Sequence, residues 1–96
     1  FGELLKAMAL SEENWFISHY RDKDQVEVDF VLESASRRVL GVEVKAAASV
    51  NAADFKGLRR LRDLSGSAFT SGIVLYDGEA AVPFGEGLWA VPILWL

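Results

Sequence analysis

The chain has 96 residues, 51% of them apolar, with a formal charge of −4, no cysteine and His19 as its one histidine. That length fits a single domain spanning residues 1–96, and the composition excludes a disulfide scaffold, a cysteine nucleophile, a thiolate metal site and a His-rich zinc site. The acidic balance argues against a DNA binder that relies on overall charge; no apolar run approaches the ~18 residues of a membrane span, and a reducing cytoplasm is the expected location.

Phe1, Leu4, Leu5 and Met8 recur at helical spacing, which predicts an amphipathic helix over residues 1–10. No N-cap residue precedes it, so the chain is expected to be an excised domain whose missing part lies before Phe1. Trp15–Arg21 is aromatic and β-branched and predicts a strand; Asp22-Lys23-Asp24 predicts a turn. Gln25–Glu33 and Arg38–Lys45 both alternate. Joined by a short linker, they predict an antiparallel hairpin and complete a three-strand meander. In the first run Val26, Val28, Phe30 and Leu32 are expected on one face, and Glu27, Asp29, Val31 and Glu33 on the other. In the second, Leu40, Val42 and Val44 oppose Gly41, Glu43 and Lys45.

Ala46–Val50 reads as a loop. Asn51 is a plausible N-cap with Asp54 in the first turn, opening a helix over 51–64 with Phe55, Leu58, Leu61 and Leu64 as its apolar stripe. Gly57 weakens that helix by roughly 1 kcal/mol relative to Ala, and Ser65-Gly66 stops it. Thr70–Tyr76 is a continuous apolar run, suited to a strand buried on both faces. Residues 80–87, with Pro83 and two glycines, read as a loop, and Leu88–Val91 as the last strand. The crossover from the third strand through the helix to the fourth makes those two strands parallel. The predicted fold is α/β: a mixed sheet of five strands in sequential order with a helix on each face, three layers in all.

The chemistry gathers on the hairpin. Asp29, Glu43 and Lys45 are expected to converge on one face. Two carboxylates beside an ammonium can hold a hard divalent cation, Mg²⁺ or Mn²⁺, and polarise a water or a phosphate. Glu27 is a candidate for the outer shell of that site. Lys56, Arg59 and Arg60 form a basic stripe that could meet phosphates, and His19 is expected to be structural. The high apolar content also suggests self-association into a homo-oligomer.

Asp29 followed fourteen positions later by Glu43-Val44-Lys45, on consecutive strands after an initial helix, resembles the PD-(D/E)xK nuclease superfamily with its restriction-endonuclease-like core. Val28 stands where that motif's nominal proline would be. Tyr20-Arg21-Asp22, Glu27 to Val31, Gly41 to Ala46, Asp54 to Leu58, Leu75 to Gly78 and Pro83 to Gly85 carry a closer resemblance. They are similar to a domain of unknown function found C-terminal to the motor domain of a group of prokaryotic AAA+ ATPases. The resemblance implies Asp29 and Glu43 as metal carboxylates, the Val44 carbonyl as a third ligand and Glu3 as an added helix carboxylate. It implies that Lys45 positions or activates the attacking water. It further implies DNA as partner and substrate, and a covalently linked N-terminal ATPase domain as the place where ATP binds. The expected function is metal-dependent DNA cleavage; the alternative is a catalytically silent module for partner binding or ATPase assembly.

Overall fold

The computed structural model describes residues 14–95. The helix expected over residues 1–10, and Glu3 on it, lie outside the described residues. The elements are β1 (Trp15–Arg21), β2 (Glu27–Ser34), β3 (Val39–Lys45), a 3₁₀ turn (Ala52–Phe55) running into α1 (Lys56–Ser65), then β4 (Phe69–Tyr76), β5 (Val82–Gly85) and β6 (Leu88–Pro92). They form one mixed six-stranded sheet in the order β1-β2-β3-β4-β6-β5. Strands β1, β2 and β3 are the expected antiparallel meander, and β3 runs parallel to β4 across the α1 crossover.

Two expectations are corrected here. Residues 82–85 are a strand rather than loop, so the sheet has a sixth strand, paired antiparallel with β6 at the far edge. Pro83 lacks an amide hydrogen, which bars it from a central strand but not from an edge. Glycines at Gly85 (φ 139°) and Gly87 (φ 73°) supply the left-handed backbone that turns β5 into β6.

The second correction concerns the faces of β2. Ser18 pairs with Val31 and Tyr20 with Val28, so His19 alone stands opposite both Asp29 and Phe30. This is a β-bulge, and its extra residue reverses the in-and-out phase of everything beyond it. Val28 and Val31 therefore both enter the core beneath α1, while Leu32 packs on the opposite face with Leu40 and Ile73. Strict alternation would have separated Val28 from Val31.

At ten residues α1 is too short to be stable alone. It is held by burial: Phe55, Leu58 and Leu61 pack onto Val28, Val31, Val39, Val74 and Leu88, each worth roughly 1.5–3 kcal/mol of transfer free energy. Leu64 does not join them and is exposed; six residues beyond Leu58, it is rotated by about 120° round a helix of 3.6 residues per turn. The N-terminal end is fixed by a capping box. Asn51 Oδ1 accepts the Ala53 amide at 3.0 Å, and Asp54 accepts the Asn51 amide at 2.8 Å. Gly66, with φ 57°, closes the other end.

The turn between β1 and β2 is organised by Asp22. Its carboxylate accepts the amides of Asp24 and Val26, the Tyr20 hydroxyl and the Arg60 guanidinium, the last at 2.6 Å. Burial would raise this carboxyl, but those four donors outweigh it and hold it below the usual range. One acidic residue thus ties the meander to α1.

Candidate metal centre

The paired register of β2 and β3 ends at Phe30 opposite Val42. Beyond it, next to the bulge, side chains replace the backbone ladder. The Asp29 amide donates to Glu43 Oε1 at 2.7 Å, and the Val44 amide donates to Asp29 Oδ2 at 2.9 Å. Each carboxylate thus bonds to the backbone of the other's strand. The two are brought together at the mouth of the split, half-buried, with Val44 exposed beside them.

Their proximity is visible in Glu43. Its carboxyl is pushed up, first by burial and then by the negative charges of Asp29 and Glu27; the Asp29 amide and His19 oppose this. Glu27 and His19 therefore act on this site electrostatically. Glu27 is also paired with Arg21 at 3.2 Å. Among the described residues no group of three or more His, Cys, Asp or Glu side chains is arranged to hold a metal ion.

Lys45 follows Glu43 by two residues on the same strand, and its ammonium is paired with Asp54. Nζ lies 2.6 Å from Asp54 Oδ2, the same carboxylate that caps the 3₁₀ turn. That contact, and the Asn51 amide, hold the Asp54 carboxyl below its ordinary value. The structure therefore brings Asp29 and Glu43 together and gives Lys45 a partner on the helix side. Asp54 is the residue of this region that pattern reading under-used: the Asn51-to-Asp54 spacing announced the cap, and nothing in the sequence announced the lysine.

The basic stripe is largely engaged within the chain. Arg59 donates to the Ala52 carbonyl at 2.7 Å, and Arg60 pairs with Asp22 and, at 3.5 Å, with Asp24. Lys56 lines a shallow depression with Ala52, Ala53, Arg59, Arg60 and Asp63.

By its fold the chain is a mixed α/β domain. The match to a family model is complete in extent: residues 1–96 fit the model described as Domain of unknown function (DUF4143). The chain belongs to the DUF4143 family. No curated protein and no solved structure matches it.

Proposed function

We propose that the domain is a divalent-metal-dependent phosphodiesterase module acting on DNA, of the PD-(D/E)xK type, with Asp29 and Glu43 as its metal carboxylates. The observation that carries this reading is the crossed pair of bonds between Asp29 and Glu43. It holds two hard oxygen ligands together against their mutual repulsion. The strand amides engage Asp29 Oδ2 and Glu43 Oε1, so Asp29 Oδ1 and Glu43 Oε2 take no part in those two bonds. The raised Glu43 carboxyl is what a nearby cation would relieve. The donor set, carboxylates with the Val44 carbonyl adjacent, suits Mg²⁺ or Mn²⁺. By the same resemblance Glu3 would be an added carboxylate. When bound, such an ion would supply Lewis acidity toward a phosphate oxygen and a more acidic water. In this reading Asp29 and Glu43 bind and orient, and Lys45 exchanges Asp54 for the charge that develops on the phosphate. Lys56, Arg59 and Arg60 would contact the DNA backbone.

A second reading has its own support. Lys45 is held by Asp54, and Arg59 and Arg60 are engaged within the chain. A nuclease-fold module that has lost cleavage and serves partner binding or assembly of a linked ATPase would keep this arrangement. Calorimetric Mn²⁺ titration, run beside a nicking assay on plasmid and branched DNA, separates the two. The first reading expects binding that Asp29→Asn abolishes, and cleavage that Lys45→Ala abolishes while metal binding survives. Metal binding with no cleavage favours the second. No metal binding at all overturns the metal-centre reading.

A further inference from the structure

We infer that the edge of β1 that carries no strand among the described residues is a docking strand for a second copy of this chain, paired antiparallel about a two-fold axis at Ser18. The two edges of the sheet are built differently. The β5 edge has four residues and carries Pro83, features that discourage strand addition. Strand β1 is seven residues long, with no proline, glycine or lysine. Among the described residues it pairs with β2 alone. Its apolar side chains are also turned outward: Phe16 is 64% and Ile17 68% exposed. As neighbours on a strand they project to opposite faces, so both faces of this edge are apolar. Phe30 on β2, at 47% exposure, extends that surface inward. A long apolar edge without proline or lysine is a template for another strand.

The pattern within β1 selects the occupant. An antiparallel pairing centred on Ser18 uses all seven residues. It sets Phe16 opposite Tyr20 of the second copy, Ile17 opposite His19 and Trp15 opposite Arg21. Aromatic and aliphatic side chains face aromatic ones, which is favourable across antiparallel strands. Arg21 is the one permanently charged residue of β1. In this register it meets an indole, and the two arginines lie about 20 Å apart along the strands, beyond the screening length at physiological salt. Centring on His19 instead would set two imidazoles face to face and Ile17 against Arg21. The isologous arrangement about Ser18 is the self-complementary one, and it joins the two sheets into one.

The chain contains no cysteine, so an introduced thiol reports on the register without background. Residues directly opposite in an antiparallel pair have Cα atoms about 4.5–5.5 Å apart, within the roughly 4.4–6.8 Å that a disulfide spans. Sedimentation equilibrium of the 96-residue chain should show a monomer–dimer equilibrium in the micromolar range. Mild oxidation of Ser18→Cys should give a covalent dimer, and of Phe16→Cys should not, because Phe16 faces Tyr20 and not itself. Ile17→Lys should weaken dimerisation at least tenfold, with a melting curve by circular dichroism that matches the wild type at concentrations below the wild-type dissociation constant. A wild-type chain that stays monomeric at its highest soluble concentration overturns the proposal. So does a dimer indifferent to Ile17→Lys, or equal cross-linking through positions 16 and 18.

Discussion

Gly57 is the point where helix propensity and packing make opposite predictions. On an isolated helix, Gly57→Ala would stabilise by about 1 kcal/mol. In this fold α1 crosses the start of β2 there, and a Cβ on residue 57 would lie 2.0 Å from the Glu27 carbonyl oxygen and 3.3 Å from Val28 Cγ2. Ordinary carbon–oxygen contacts begin at about 3.3 Å, so the helix or the strand must give by more than an ångström. The obstacle is backbone, not the end of a flexible side chain, and it sits two residues before the bulge at Asp29. Overpacking costs about 1–3 kcal/mol; with backbone as the obstacle the upper figure applies, leaving a net loss of about 2 kcal/mol after the propensity gain. For a domain of this size that is a fall in Tm of roughly 8–16 °C. Thermal melting followed by circular dichroism measures it directly. Asp63→Ala, exposed on the same helix and joined among the described residues only to Arg62 by a surface ion pair at 4.0 Å, serves as the control in which a Cβ meets no packed neighbour. A Gly57→Ala melting point equal to or above wild type would refute the packing argument, because α1 would then ride freely on the sheet.

Other expectations follow from the charged groups. Glu43 has a raised folded-state pKa, so its contribution to stability is full below its unfolded value of 4.5 and is lost as pH rises through the folded value. Glu43→Gln keeps an acceptor for the Asp29 amide and removes that loss. Its stability relative to wild type should therefore increase with pH, and urea unfolding at a series of pH values checks this; a difference that does not vary with pH would contradict it. Asp54 has the opposite sign. Its folded pKa is lowered, so its contribution is present above 3.8 and disappears as pH falls through the folded value. Asp54→Asn should converge with wild type in acid. A double-mutant cycle of Lys45→Ala and Asp54→Ala should give a coupling of up to about 1 kcal/mol, with the lost cap adding roughly another 1 kcal/mol to Asp54→Ala alone.

Much of this fold is written in local pattern. The alternation in β2 and β3, the cap at Asn51 and the stop at Gly66 located the hairpin and α1, and their order implied the parallel step from β3 to β4. What escaped was non-local. The bulge at Asp29 has no composition of its own. It exists because Val28 and Val31 both find room beneath α1, and pairing with β1 tolerates the extra residue. Strand β5 was hidden by Pro83, whose missing donor is harmless only once the strand is known to be an edge. At the site, the sequence located Asp29 and Glu43 correctly on adjacent strands. It could not say that each would bond the other's backbone. Lys45 shared the strand periodicity of Glu43, yet its ammonium follows charge and reach, and Asp54 at the capped turn offers both.

The proposed activity depends on a divalent-cation site at Asp29 and Glu43. Titrating paramagnetic Mn²⁺ into the isotopically labelled chain tests it most directly, by the amide signals that broaden. Such a site gives selective broadening at Asp29, Glu43 and Val44 at low Mn²⁺, reversed by competing Mg²⁺ and absent in Asp29→Asn. Broadening spread evenly over exposed acidic residues, or unchanged by Asp29→Asn, would contradict it.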